Sequence, residues 1–157
     1  PRIYAIIEML LQTGIRIGEL ANLRMEDTAE NTIRIRPYEG HPAREVPMNR
    51  RAKDALKRYL GVRPGSADDH VFITKTGKPF LVRNIRDAVE RYFKKAGIDK
   101  AKINDLRHTF VAHHLRSGVS IVFLSKVLGH KRLSSTERYL QYIKDNKVGD
   151  GTTLQEL

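Results

Sequence analysis

The sequence predicts an α+β fold that is mainly α-helical with a small antiparallel β-sheet. Apolar residues recur at helical spacing along most of the 157-residue chain. One short segment instead alternates apolar and polar residues and is followed by a second strand candidate, and glycines separate the predicted elements. A chain of this length fits one compact domain whose core needs no disulfide, and the chain has no cysteine.

The N-terminal part is predicted to hold three helices and a hairpin. Gly14 is expected to end the first helix, and residues 39–42 have the composition of a hairpin turn. In chain order, the predicted elements are helices at 3–11 and 17–23, strands at 31–36 and 44–48, and a helix from about Arg50.

The C-terminal part is predicted to be mostly helical after a loop at 61–69. A turn at 75–78 suggests two further short strands, and Gly97, Gly118 and Gly129 are expected to separate the helices that follow. In chain order, the predicted elements are strands at 70–74 and 79–82, then helices at 85–93, 104–116, 120–128 and 134–144. The last segment, 149–157, is polar and is expected to be mobile unless it docks on a partner.

The charge of the chain predicts a polyanionic partner. Lysine and arginine number 29 against 18 aspartate and glutamate, which gives a formal net charge of +11 and a pI near 10.1. Nucleic acid is the first expectation and an anionic membrane surface the second. No apolar run is long enough to span a bilayer, and no basic segment carries an unpartnered bulky apolar face, so we expect double-stranded DNA and no membrane. The absence of cysteine fits a reducing cytoplasm. A DNA-binding protein in that compartment is expected at the nucleoid.

Several enzyme classes lack their sequence signatures here. The chain has no GxxxxGK[ST] phosphate loop, no HExxH zinc motif and no GxSxG nucleophile turn. His108, His113 and His114 share one predicted helix, but their spacing is not that of zinc ligands. We therefore predict neither a metal nor a cofactor, and expect His113 and His114 to serve packing.

The side chains that remain suit metal-free cleavage of a phosphodiester. The transition state carries extra negative charge, which two planar guanidinium groups can bind with paired donors. A tyrosine hydroxyl can form a covalent phosphoester that conserves the bond energy for rejoining. A general acid must protonate the leaving 5′ oxygen. The sequence offers candidates for two arginines, a histidine and a tyrosine.

Four sequence boxes resemble those of the tyrosine recombinases of the phage integrase family. The segments 13–20 (TGIRIGEL) and 106–110 (LRHTF) resemble the family's TGxRxxEL and HxLRHTF boxes. The segment 128–139 resembles LGHxxxxxTxxY, with Thr136 and with Tyr139 nine residues after the histidine. The segment 44–48 (REVPM) resembles the strand after the family's lysine-bearing hairpin. All four stand in the family's order over nearly the whole chain.

The resemblance implies the recombinase catalytic-domain fold over 1–149, with a truncated start, and a role for each matching residue. Arg16 and Arg107 would clamp the scissile phosphate and His130 would hydrogen-bond it. Tyr139 would attack it to give a 3′-phosphotyrosine and a free 5′ hydroxyl. Glu19 would orient Arg16. From their positions in the sequence, His108 is expected to be a hydrogen-bonding neighbour, and Arg44, Lys131 and Arg132 are expected to contact DNA. The family works without metal or nucleotide as a tetramer on paired DNA sites, which implies a monomer without DNA.

Two positions depart from the family pattern. Asn104 stands where the family has a histidine three residues before the second arginine, and an amide does not exchange a proton near neutral pH. Glu39 stands where the hairpin carries a lysine thought to be the general acid, and residues 31–49 contain no lysine. Lys75 or Lys78 from the next turn is one alternative source of this acid. A slow or non-cleaving protein is another interpretation.

Other interpretations remain open from the sequence alone. The chain can be a recombinase-like protein that binds DNA without cutting it, a type IB topoisomerase-like enzyme, or a basic helical nucleic-acid-binding module. Arg107 has Asp105 as an alternative partner, Tyr139 shares a helical period typical of core residues, and Tyr142 is a competing nucleophile. The tail at 150–157 ends in Leu154 and Leu157, which suggests docking on a neighbouring protomer.

Overall fold

A computed structural model describes residues 1–142, Leu154 and Leu157, with the side chain of Tyr142 left aside. It shows a mostly helical domain with one two-stranded antiparallel sheet, as predicted. None of the described helices is both long and apolar enough to cross a bilayer. The helices are α1 (Arg2–Thr13), α2 (Ile17–Ala21), α3 (Arg50–Val62), α4 (Val82–Lys95), α5 (Asn104–Arg116), α6 (Ile121–Leu128) and α7 (Leu133–Glu137); the strands are β1 (Thr32–Ile35) and β2 (Arg44–Pro47).

Helix α1 runs through the centre of the domain and packs against α3 and α5. Its residues Ala5, Ile6 and Met9 are fully buried, because the apolar side chains recur on one face of the helix. The helix ends at Gly14, against which the ring of Phe110 on α5 is packed. This contact brings the segment after α1 close to the middle of α5.

The strands β1 and β2 form a hairpin whose register pairs Thr32 with Pro47 and Ile35 with Arg44. Isoleucines of β1 and Val46 of β2 turn their side chains into the core, as the alternating pattern predicted. The chain reverses between Tyr38 and His41, which exchange backbone hydrogen bonds of 3.2 and 2.8 Å. The two residues between them both have positive φ, 47° at Glu39 and 79° at Gly40, so the turn is a tight one.

The strands predicted at 70–74 and 79–82 are not formed. The segment makes only isolated bridges, Arg24 with His70 and Ile73 with Pro79, and Val82 already begins α4. Backbone hydrogen bonds cross the turn from Thr74 N to the Lys78 carbonyl at 2.7 Å and from Phe80 N to the Phe72 carbonyl at 3.0 Å. The antiparallel pairing goes no further because the chain enters α4 directly after Leu81.

The helix predicted at 134–144 is also broken. Helix α7 ends at Glu137, and a 3₁₀ segment, Arg138–Tyr142, replaces the expected α-helical turns; residues 143 and 144 lie outside the described part. The serines and Thr136 of α7 are weak helix formers, and the buried Thr136 hydroxyl hydrogen-bonds His130 and no backbone group. The tighter 3₁₀ turn aims Tyr139 toward α5.

Candidate active site

Arg16 and Arg107 converge on the carbonyl end of α6. Arg16 stands at the N-terminus of α2, and its Nη1 donates to the Leu128 carbonyl at 3.0 Å. Arg107, on α5, donates to the same carbonyl from Nη2 at 3.2 Å and to the Gly14 carbonyl from Nη1. Two guanidinium groups from distant parts of the sequence therefore share one backbone acceptor.

Arg107 makes no direct ion pair with a carboxylate in the described part of the chain, although the nearby Glu19 carboxylate partly offsets the lowering of its pKa. Burial, with the nearby Arg16 cation, lowers the pKa of the Arg107 guanidinium to about 10, so it stays charged near neutral pH. The alternative partner, Asp105, accepts instead from the Lys102 amide at 2.8 Å. Within residues 1–142, Arg107 forms no ion pair, and its donors meet only carbonyl oxygens and a histidine. A bound anion would supply the missing charge.

Glu19 is the buried carboxylate that holds this corner together. It accepts from the Arg16 backbone amide at 2.8 Å and from Arg16 Nη1 at 3.4 Å. Burial alone would raise the pKa of this carboxyl, but the hydrogen bonds from Arg44 and Arg16 outweigh burial and lower it. Glu19 therefore remains an anion and orients Arg16 through both its backbone and its side chain.

Arg44 points into the protein. Its side chain is only 8% exposed and binds both oxygens of Glu19, while its Nε donates to the Val127 carbonyl at 2.7 Å. These three hydrogen bonds engage every nitrogen of the guanidinium with a partner inside the protein. The structure thus gives Arg44 an internal role, and the DNA contact expected from the sequence stays a prediction.

His130 follows Gly129 at the end of α6 and connects the arginine pair to α7. Its Nε2 lies 3.2 Å from Arg107 Nη2, and its Nδ1 lies 2.6 Å from the Thr136 hydroxyl. Burial and the adjacent Arg107 cation lower the pKa of His130 to about 4, so the ring is neutral at neutral pH. Because Arg107 can only donate, Nε2 is the acceptor and Nδ1 carries the proton.

Tyr139 reaches the same region from the 3₁₀ segment. Its hydroxyl lies 2.7 Å from His108 Nδ1, and the two rings are tilted by 42° with centroids 5.5 Å apart. Burial lowers the pKa of both Arg16 and Arg107, and the Tyr139 hydroxyl is close enough to both guanidinium groups to oppose that shift in part. A cavity of about 870 Å³ opens here, and its lining includes His108, His130, Arg138 and Tyr139. The structure thus brings the four predicted catalytic residues together.

The two substituted positions lie at the edge of this arrangement. Asn104 is the exposed first residue of α5, one turn before His108. Glu39 occupies the tip of the hairpin, where burial and then its carboxylate raise the pKa of the neighbouring Tyr38 hydroxyl. The tip is docked on the turn after α6, since His41 Nδ1 lies 3.2 Å from the Gly129 carbonyl.

Lys131 supplies a cation at the hairpin tip. Its ammonium lies over Gly40, so close that a Cβ built on this glycine would stand 2.8 Å from Nζ. The sequence suggested Lys131 as a DNA contact but gave no signal for its contact with Gly40. Lys75 and Lys78 form no hydrogen bond or ion pair with the described residues of the site. Arg132, at the start of α7, is exposed beside Lys131.

The fold and this arrangement of arginines, histidine and tyrosine define a tyrosine recombinase catalytic domain. The crystal structure of XerA recombinase superposes with a TM-score of 0.84 at 35% identity, over 92% of this chain and 53% of that one. The chain belongs to the phage integrase family, whose sequence profile matches residues 1–145.

Similar proteins that carry a recombinase name support the same family assignment. The chain is 36% identical over 146 residues to tyrosine recombinase XerC of Thermodesulfovibrio yellowstonii, covering 86% of this chain and 48% of the relative. It is 32% identical over 139 residues to XerC of Staphylococcus carnosus, covering 85% and 47%. The XerH recombinase structure bound to difH substrate matches with a TM-score of 0.75 at 26% identity, over 88% and 42%. The chain spans about half the length of the curated relatives it matches.

Proposed function

We propose that this chain is the catalytic domain of a site-specific DNA recombinase that cuts and rejoins strands through a 3′-phosphotyrosine on Tyr139. The observation that carries the proposal is the convergence of Arg16 and Arg107 on one point beside His130 and Tyr139. Its partner is double-stranded DNA, which the net charge of +11 favours and which the XerH structure holds as difH substrate.

The two arginines bind the scissile phosphate in this proposal. Their donors now meet the neutral carbonyls of Gly14 and Leu128. A phosphate oxygen offers charge-assisted hydrogen bonds, which are roughly twice as strong as neutral ones. The gain is greatest in the transition state, where the nonbridging oxygens carry most charge, and so the pair lowers the barrier to strand transfer.

His130 joins the phosphate by exchanging its tautomer. The Thr136 hydroxyl, which now accepts from Nδ1, can donate instead, because a hydroxyl is both donor and acceptor. The ring proton then sits on Nε2, where it faces the phosphate held by Arg107. The neutral state of the ring, set by burial, makes this exchange possible without a change of charge.

Lys131 is the general acid that this chain puts in place of the missing hairpin lysine. Its ammonium stands over Gly40, the residue that follows Glu39 in the hairpin tip. A carboxylate next to a phosphate would repel it, and an adjacent ammonium offsets that repulsion. The ammonium can also give a proton to the leaving 5′ oxygen, whereas an arginine stays protonated.

The larger assembly is a proposal of the same kind. We expect a tetramer on two DNA sites and a monomer without DNA, in the cytoplasm at the nucleoid, with Lys131 and Arg132 touching the DNA backbone. Leu154 and Leu157 pack on their own chain here, and the Leu157 carbonyl accepts from Arg51 at 2.7 Å. The surface that Leu154 and Leu157 cover here would instead receive the tail at 150–157 of a neighbouring protomer. Removing the tail from Gly149 onward then weakens assembly on DNA.

A protein that binds DNA without cutting it is the second candidate, because Glu39 and Asn104 replace two proton-exchanging residues. Nicked suicide DNA separates the two, since the short fragment diffuses away after cleavage and traps the covalent adduct. The complete product of the gene would be incubated with nicked duplexes drawn from the DNA that flanks the gene.

A shifted band on a denaturing gel is expected for the native protein and for Tyr142→Phe, and no band for Tyr139→Phe. Gel shifts without cleavage would verify that Tyr139→Phe still binds DNA. Binding with no covalent band from the native protein would favour the non-cutting candidate. A band that survives Tyr139→Phe and vanishes with Tyr142→Phe would move the nucleophile to Tyr142.

A further inference from the structure

The proposed cleavage step needs a group that accepts the phenolic proton of Tyr139. The phenol of Tyr139 must lose its proton as its oxygen attacks phosphorus, because a neutral hydroxyl is a weak nucleophile. The family-like position for a proton-exchanging imidazole is Asn104, whose amide does not accept a proton near neutral pH. A different group has to take this role in this chain.

The catalytic residues already described are unsuited to it. Arg16 and Arg107 are permanently protonated donors. Both ring nitrogens of His130 are engaged, Nε2 by Arg107 and Nδ1 by Thr136, and its low pKa makes it a poor acceptor. Each of these groups serves the phosphate, and none is hydrogen-bonded to the attacking oxygen in the described contacts.

His108 has the required position. It follows Arg107 on α5, so the helix that supplies a phosphate-binding guanidinium also presents an imidazole one residue further on. Its Nδ1 lies 2.7 Å from the Tyr139 hydroxyl, which is within hydrogen-bonding range of the proton to be removed. The rings are close enough that the pair is oriented by packing as well as by the hydrogen bond.

We propose that His108 accepts the phenolic proton of Tyr139 during strand cleavage and returns it during rejoining. This inference rests on the proposed function. In cleavage the bond from Tyr139 oxygen to phosphorus forms and the bond from phosphorus to the 5′ oxygen breaks. The phenolic proton moves to His108 Nδ1, and the leaving oxygen takes a proton from Lys131 or from water. Rejoining runs the same transfers backwards.

The surroundings of His108 allow it to change charge. The ring is exposed, so its positive form can be solvated and can exchange its proton with water between cleavage and rejoining. The ionisable groups that share its cavity come from three elements and include both signs of charge. They are Asp105, His113 and Arg116 on α5, His130 after α6, and Arg138 on the 3₁₀ segment.

The test is the pH dependence of single-turnover cleavage of suicide DNA by the complete gene product. Asparagine at 108 retains a hydrogen-bonding atom near the place of Nδ1 but cannot accept a proton. We expect His108→Asn to lower the rate at pH 7 by about 10²-fold and to change the shape of the pH–rate profile, because an amide cannot accept the phenolic proton. The control His70→Asn changes a histidine that pairs with Asp68, and it should leave the profile unchanged.

Chemical rescue adds a second measurement. His108→Ala leaves space beside Tyr139, and added imidazole should restore cleavage, with a rate that depends on the pKa of the substituted imidazole used. A His108→Asn profile parallel to that of the native protein, with no rescue of His108→Ala, would assign His108 to positioning only and overturn the proposal. Failure of the proposed function is distinguishable, because then Tyr139→Phe and the native protein give no covalent product at any pH.

Discussion

The guanidinium of Arg44 forms a bidentate ion pair with the carboxylate of Glu19, with nitrogen–oxygen distances of 2.6 and 2.9 Å. The Glu19 side chain is fully buried and also binds the backbone amide of Arg16. One carboxylate therefore fixes β2 of the hairpin to the segment that carries Arg16. Breaking a buried pair on one side leaves an uncompensated charge, which is costly.

Glu19→Gln is expected to lower the free energy of unfolding by about 3 kcal/mol at pH 7, because Arg16 and Arg44 lose their shared anion. The lowered pKa of Glu19 means that its stabilising effect is present above the ordinary value of 4.5 and is lost as pH falls through the folded-state pKa. Urea unfolding at pH 7 and pH 3 should show the variant approaching the native protein at the lower pH. The exposed Glu45→Gln serves as control, and an equal loss in both variants would contradict the role of burial.

Lys131→Ala is expected to slow cleavage by about 10²-fold, since the leaving oxygen loses its acid. DNA with sulfur in place of the bridging 5′ oxygen needs no acid, because a thiolate is a far better leaving group. This substrate should restore Lys131→Ala to within a few fold of the native rate.

Two controls accompany the Lys131 experiment. Lys126→Ala removes an exposed lysine of α6 and should behave like the native protein on both substrates. Arg107→Ala should remain slow on the sulfur substrate, because it acts on the phosphate. If Lys131→Ala stayed slow on the sulfur substrate as well, Lys131 would be assigned to binding and not to proton transfer.

Gly129→Ala is expected to destabilise the protein more than Gly118→Ala. Both glycines follow a helix with positive φ, 68° and 88°, so both substitutions carry the same backbone cost of about 1 kcal/mol. A Cβ at Gly118 meets open space, whereas at Gly129 it would stand 2.6 Å from Arg44 Nη1. Thermal unfolding measures the difference, which isolates the collision with Arg44. Equal losses of stability in the two variants would show that the Arg44 side chain can move aside without destabilising the protein.

The stability of the fold is expected to fall between pH 6.5 and pH 4 through His114. This side chain is fully buried, neither ring nitrogen has a hydrogen-bond partner, and burial followed by the neighbouring His113 lowers its pKa to about 4. The unfolded chain binds the proton first, so folding loses about 3 kcal/mol as pH drops from 6.5 to 4.

His114→Leu should flatten that dependence and stabilise the protein at pH 5, because an apolar side chain of similar size leaves no unpaired nitrogens. Urea unfolding across pH 4 to 7 compares the slopes. The exposed His108→Leu provides the matched control on the same helix. An unchanged slope in His114→Leu would place the acid sensitivity in another group, with His130 the next to examine.

The sequence predicted the hairpin and the helices well where a local pattern was decisive. Alternation over 31–36 and the composition at 39–42 were sufficient for the hairpin, because both signals are local. The spacing from His130 to Tyr139 predicted that the two residues share a site, and the structure places them around one cavity. The strands at 70–74 and 79–82 were wrong in extent, because the antiparallel pairing stops at Phe72 and Phe80 where the chain turns into α4.

The features of the site that the sequence did not predict depend on contacts between distant segments of the chain. Arg44 looked like a DNA-binding arginine, and only the fold shows that a buried Glu19 faces it. The proximity of Lys131 to Gly40 joins residues more than 90 positions apart, and no pattern within either segment encodes it. Patterns within a segment report which face is buried, whereas the pairing of charges depends on which segments meet.

The Leu128 carbonyl accepts from both Arg16 and Arg107. A shift of the turn after α6 would therefore displace both cations together, along with His130 and Lys131 that follow on the same turn. Under the proposed function, such a shift would stop strand cleavage and strand rejoining together. On the same proposal, this coupling would prevent a half-assembled centre from cutting a strand that it could not rejoin.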